Sequence, residues 1–127
     1  MTKALLLPLS FCLLLSACKK EEGEGGKAEI RGFVTRKDGL NGTPYPYMDQ
    51  RVFIVYGDND FYDDDVRTDG TGKYVFRWLR KGDYTVYTFG ECQGSDCPGG
   101  TVQISRQVSI DGRKDVVIVP TMEAVNW

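Results

Sequence analysis

The sequence predicts an all-β fold, a sandwich of seven short strands, and three observations carry the prediction. From Ala28 onward the apolar residues recur with period two, glycine-rich turn signals separate the runs, and no window shows helical periodicity. Short strands at such spacing pack as two layers around one core.

The first strand is expected at 28–35 (AEIRGFVT) and the second at 50–57 (QRVFIVYG), both dominated by β-branched and aromatic residues. A third, 62–68 (YDDDVRT), closes on Asp69-Gly70 and Gly72, where glycine accepts positive φ without penalty; the fourth, 73–79 (KYVFRWL), makes a hairpin of that turn. The fifth, 83–89 (DYTVYTF), follows Gly82, and the sixth, 101–110 (TVQISRQVSI), follows a glycine-rich loop. Asp111-Gly112 then leads into the seventh, 115–121 (DVVIVPT), as a second hairpin.

The stretch TDGTGKYVFRWLRKGDYTVYTF, residues 68–89, carries the pattern T-D-x-x-G-x-Y-x-F-x-x-L-x-x-G-x-Y-x-V on Thr68, Asp69, Gly72, Tyr74, Phe76, Leu79, Gly82, Tyr84 and Val86. With IRGFVTRKDG at 30–39, it resembles transthyretin-like bacterial sandwiches, the carboxypeptidase-regulatory-like and collagen-adhesin B-type group. The resemblance implies an antiparallel Greek-key order of the prealbumin type. Physically, Tyr74, Phe76, Leu79, Tyr84 and Val86 alternate into one core, and Gly72 and Gly82 serve turns. Adhesin relatives sometimes form an internal Lys-Asn isopeptide bond, for which Lys27 and Asn126 are the candidates, although both fall outside the expected strands. A fold of this kind leaves activity open.

The N-terminal segment has its own chemistry. Lys3 precedes about 14 mostly apolar residues ending in small ones, the anatomy of a secretory signal over 1–17. It is shorter than the roughly 20 apolar residues of a spanning helix. Leu15-Ser16-Ala17-Cys18 resembles the lipobox of bacterial lipoproteins, in which the cysteine is acylated and becomes the first mature residue. Two or three acyl chains, at roughly 0.8 kcal/mol per buried methylene, anchor stably. Lys19, where retention on an inner membrane favours Asp, points the resemblance to the outer membrane, and Lys19-Lys20-Glu21-Glu22 resembles a surface-export tag of the Bacteroidetes group. Residues 18–27, charge and glycine without aromatics, are expected as a flexible tether, and 28–127 as the domain.

The whole chain has 16 basic and 18 acidic side chains; loss of Lys3 leaves 15 against 18, a net charge of about −3. That balance supplies no basic field for nucleic acid. There is no histidine, which removes Ser-His-Asp and Cys-His catalysis and any histidine-ligated zinc. A carboxylate pair needs a cleft that a sandwich of this size rarely provides, so no enzyme is expected.

Four candidate sites remain. Cys18 is the lipidation site. Cys92 and Cys97, in a glycine-rich loop, are expected as a disulfide worth roughly 2 kcal/mol by chain entropy. Asp58, Asp60, Asp63 and Asp65 offer oxygens to calcium, although Asp63 stands where an EF-hand loop needs glycine, and a solvated hairpin is the plainer reading. Tyr45 and Tyr47, set between prolines, could stack on a sugar or a protein with Phe61, Tyr62 and Trp127; the plainer reading is a loop over an open sandwich edge.

The sequence thus points to a lipid-anchored outer-membrane sandwich acting as an adhesion or accessory binding module, with a protein or glycan partner. Its alternatives are a periplasm-facing structural subunit of an envelope complex and a carbohydrate-binding accessory of nutrient uptake.

Overall fold

A computed structural model of the chain describes residues 21–127; the expected signal peptide and Cys18 lie outside the described residues. The described residues are all-β, in two sheets. In order the strands are β1 (Glu24–Asp38), β2 (Tyr45–Pro46), β3 (Arg51–Tyr56), β4 (Asp64–Arg67), β5 (Lys73–Leu79), β6 (Gly82–Glu91), β7 (Thr101–Ile110), β8 (Val116–Ile118) and β9 (Met122–Asn126). One sheet runs β4-β3-β6-β7; the other is built on β1, with β5 and β2 antiparallel to it and β8 and β9 parallel to it.

Three expectations are corrected here. There are nine strands among the described residues rather than seven, and the β1 sheet is mixed rather than wholly antiparallel. Neither expected hairpin forms: the Asp69–Gly72 and Asp111-Gly112 turns carry the chain from β4 to β5 and from β7 to β8, each time from one sheet to the other, so the arms do not pair. The expected seventh strand, 115–121, ends at Ile118 and the chain pairs again from Met122, because Pro120 has no N–H for the ladder. Both pieces run along β1, with the Val119 N–H donating to the Arg31 carbonyl between them (2.8 Å). The first strand also begins at Glu24, inside the expected tether. The Gly23 N–H donates to the Tyr84 hydroxyl (2.8 Å) and its carbonyl accepts from the Arg80 N–H (2.8 Å), which ties this segment to the domain. Leu79 is in register with both Glu24 and Ala28, so a bulge absorbs Gly25 and Gly26.

The core lies between the sheets. Ile30, Val34, Tyr74, Phe76, Leu79 and Met122 of one sheet meet Val52, Ile54, Tyr84, Val86, Val108 and Ile110 of the other, all buried. Each contributes roughly 1.5–3 kcal/mol by leaving water. The five residues expected to alternate inward from the 68–89 pattern are all in this cluster. The turn before β5 is held by Asp69, whose carboxylate accepts from the Thr71 hydroxyl (2.6 Å) and from the Thr71 and Lys73 N–H groups (2.8 and 3.1 Å); these bonds hold it below the usual carboxylate range. Gly72, at φ 79°, completes the turn.

With inward residues assigned to the core, the other parity of every strand faces out. The outer face of the β4-β3-β6-β7 sheet therefore presents Arg51 and Phe53 of β3, Asp65 of β4, and Thr85, Tyr87 and Phe89 of β6.

Candidate functional site

Phe53 and Tyr87 are directly paired across β3 and β6, and their rings stack at 4.9 Å with planes 15° apart. Phe89, two residues further on the same face, meets both rings edge-on, at 5.8 Å from Phe53 and 5.7 Å from Tyr87. From the loop before β4, Tyr62 leans on Phe53 at 4.8 Å, and the Arg51 guanidinium lies over the same ring at 4.7 Å. Phe53 is consequently only 8% exposed on a face that looks outward, whereas Phe89 and Tyr62 remain 40% and 44% exposed. The arrangement is an aromatic layer added outside the sandwich, buried at its centre and open at its rim.

Its polar frame is fixed. The Arg51 Nε donates to the Asp65 carboxylate (2.8 Å) and its Nη2 to the Tyr62 hydroxyl (3.3 Å). The hydrogen bond to Asp65 raises the guanidinium further above its ordinary value, and the same bond lowers the Asp65 carboxyl. Burial raises the Tyr87 phenol, keeping it a neutral donor. Beside the rings runs a groove of about 360 Å³ between Thr85, Tyr87 and Gln103 of the sheet and Asp58, Asn59 and Asp60 of the loop after β3. Aromatic rings open at their rims and edged by Thr85, Gln103, Asp58 and Asp60 suit a ligand with alternating apolar faces and hydroxyls.

The expected sites fare differently. Cys92 and Cys97 form a disulfide, their Cα atoms 6.1 Å apart. The calcium set does not converge: among the described residues no three acidic, histidine or cysteine side chains gather at one point. Asp65 pairs with Arg51, and Asp63 accepts from the Tyr56 N–H (2.7 Å) and from Asn59 Nδ2 (2.9 Å), which leaves Asp58 and Asp60 alone on the groove wall. Tyr45 and Tyr47 lie at β2 on the other sheet, not with Phe61 and Tyr62. Arg36 sits over both rings at 5.6 and 4.7 Å, the Tyr45 hydroxyl donates to Asp38 (3.2 Å), and Tyr47 packs against the core; Tyr45 stays 39% exposed. Tyr62 does reach the aromatic layer, Phe61 is 82% exposed beside it, and Trp127 is exposed. Lys27 and Asn126 cannot meet: Asn126 is in register with Asp38, eleven residues along β1 from Lys27, or roughly 30 Å.

Phe53, Tyr87, Phe89, Arg51, Thr85 and Gln103 are site residues beyond those expected. The available signal was in DYTVYTF, where Tyr87 and Phe89 take the opposite parity to Tyr84 and Val86, and in RVFIVY, where Phe53 stands between the inward Val52 and Ile54. Aromatics on both parities mark a sheet with a second, outer apolar layer.

No protein-family model matches the chain, and no curated protein matches it. Among solved structures it is similar to a "putative carbohydrate binding protein" of Pseudomonas aeruginosa, with a TM-score of 0.52 and 14% identity over 82% of this chain and 91% of that one. It is also similar to an (S)-allantoin synthase, with a TM-score of 0.45 and 16% identity over 80% of this chain and 43% of that one, a likeness too low to carry an argument. At 14% identity the first likeness establishes the fold and nothing finer: this chain folds as a two-sheet, all-β domain of the kind that protein shares.

Proposed function

We propose that this chain is a lipid-anchored envelope protein of the outer membrane that binds carbohydrate, without turning it over, on the outer face of the β4-β3-β6-β7 sheet. The observation that carries the reading is the aromatic layer of Phe53, Tyr62, Tyr87 and Phe89 beside a polar groove. A pyranose has an apolar C–H face and an equatorial ring of hydroxyls. Stacking on the open rims of Tyr87, Phe89 and Tyr62 takes the first, and Gln103, Thr85, Asp58 and Asp60 take the second. That the similar Pseudomonas aeruginosa structure is of a "putative carbohydrate binding protein" agrees with this reading. The transthyretin-like resemblance of residues 68–89 and the lipobox at Cys18 supply its remaining parts, a cell-surface module held by acyl chains.

A glycan array followed by titration calorimetry tests it. Tyr87→Ala and Phe89→Ala should each lower affinity for the captured glycan about tenfold, the effect of losing one well-placed stacking contact. Unchanged affinity in both variants would remove this face from the account. Intact-mass measurement of the mature protein tests the anchor; an unmodified Cys18 refutes it.

A second reading, a structural subunit with a protein partner, is favoured by the opposite outer face, where Phe33, Val116 and Ile118 are 42%, 47% and 65% exposed. Crosslinking of the native protein in its membrane would recover that partner in stoichiometric amount.

A further inference from the structure

At the end of the sandwich where the described chain begins, a pocket of about 270 Å³ is lined by Gly25, Gly26, Leu79 and four cations: Lys27 of β1, Arg80 and Lys81 of the β5–β6 turn, and Arg113 of the β7–β8 turn. No acid lines it, in a chain where acids outnumber bases by 18 to 16. Among the described residues none of the four is in an ion pair. The acids nearby are engaged elsewhere or stand outside the lining. Asp115 accepts from the Gly112 N–H (2.8 Å), the Glu22 carboxylate lies against Gly57 and Gly82, and Glu24, on the same strand, is exposed. With no acid in the lining, the four cations present an uncompensated positive surface to an arriving anion.

The backbone is shaped to hold them there. The Arg80 N–H donates to the Gly23 carbonyl (2.8 Å) and its own carbonyl accepts from the Tyr84 hydroxyl (2.7 Å), which fixes the turn against β1. Gly26 lies so close to the Leu79 carbonyl that any Cβ would overlap it, and the notch stays open because no side chain fills it. Just before Leu79, Trp78 has φ 59°, a left-handed conformation unfavourable for a bulky residue, and its side chain is 67% exposed. That conformation falls in a second irregularity of the pairing, where Arg77 and Trp78 lie between the Phe76–Ile30 and Leu79–Ala28 partners opposite Glu29 alone.

We propose that Lys27, Arg80, Lys81 and Arg113 form a phosphate site, and that it receives the headgroup phosphate of an anionic lipid. Guanidinium and ammonium groups together match a tetrahedral oxyanion. The exposed Trp78, next in sequence to Leu79 of the pocket lining, suits a membrane interface, where tryptophan concentrates. Five residues separate Cys18 from Glu24, at most about 20 Å of chain, so an acylated Cys18 would hold this end of the sandwich at the bilayer. The choice of a lipid as the source of phosphate rests on that anchored reading; the phosphate chemistry does not.

The test uses the full mature protein in neutral detergent micelles, with backbone amide shifts as readout. Two probes are titrated separately: inorganic phosphate, and phosphatidylglycerol added to the micelles, with phosphatidylcholine as control. Saturable shifts confined to Gly25, Gly26, Lys81 and Arg113 are expected with phosphatidylglycerol and absent with phosphatidylcholine. Arg113→Gln and Lys81→Gln, both at exposed positions, should each weaken the response about tenfold, as loss of one charge-assisted contact does. Tyr87→Ala should leave it intact, which separates this site from the carbohydrate face. Saturation by inorganic phosphate with no response to phosphatidylglycerol overturns the lipid assignment. No response to either probe overturns the site. A phosphate response in protein whose Cys18 proves unmodified refutes the anchor while the phosphate site stands.

Discussion

The two outer faces of the sandwich obey the same alternation and end in different chemistry. On the β4-β3-β6-β7 sheet, rings cover rings: Phe53 is almost wholly buried beneath Tyr62, Tyr87, Phe89 and the Arg51 guanidinium. On the β1 sheet, Phe33, Val116 and Ile118 stand exposed among ion pairs, Glu29 with Arg31 (2.8 Å) and Arg77 (3.9 Å), and Lys37 with Glu123 (2.8 Å). Outward apolar residues thus become a structured layer only when cross-strand partners are aromatic and in register. Isolated aliphatics stay single and are separated by charge.

The sharpest way to break this contrast is to remove the central ring of each face. Phe53→Ala should cost about 3 kcal/mol, the penalty of a core phenylalanine, although Phe53 sits on a solvent-facing parity. Phe33→Ala should cost less than about 1 kcal/mol, since much of that ring is already in water. Equal costs in denaturant melts would mean that the aromatic layer is not a packed unit.

Binding sharpens it next. Phe33→Ala and Ile118→Ala should leave glycan affinity within about twofold, where Tyr87→Ala and Phe89→Ala lose about tenfold. A comparable loss from both faces would point to a general fold defect rather than to a site.

Smaller effects come from the charges. Glu29→Gln, which removes two of the three ion pairs of that face, should change stability by no more than about 0.5 kcal/mol, read from the same melts. The Arg51–Asp65 pair on the aromatic face should show itself in acid instead. Its hydrogen bond lowers the folded Asp65 pKa, so the pair stabilises fully above the ordinary carboxyl value of 3.8 and is lost as pH falls through the lowered one. Melting temperature should drop less steeply below about pH 4 in Asp65→Asn than in the wild type. Parallel acid profiles would show that Asp65 contributes nothing there.

Much of the fold was legible because its signals are local. Strands at 73–79 and 101–110 fall at their expected bounds, the Asp69–Gly72 turn forms as its residues dictate, and Tyr74, Phe76, Leu79, Tyr84 and Val86 are buried on the expected parity. The two-residue β2 and the strand at Met122–Asn126 were not legible, since neither has a run long enough to alternate. The candidate site was legible only at Tyr62 and at Asp58 and Asp60, the last two singled out as calcium ligands rather than as a groove wall. Tyr45 and Tyr47 looked free beside their prolines, but Arg36, nine and eleven residues away, lies over both rings. The four aspartates looked like ligands because they are close in sequence, yet Asp63 and Asp65 turn to partners on β3.

By itself the sequence determined the all-β class, the inward parity of β5 and β6 and the cysteine pair, because each depends on alternation or on residues a few positions apart. Only the tertiary structure decided that β8 and β9 run parallel to β1, that Phe53 lies under Tyr87, and that cations from β1 and two distant turns share one pocket. Those outcomes depend on which strand pairs with which and in what register. Period-two alternation leaves that choice open, and packing of the whole chain makes it.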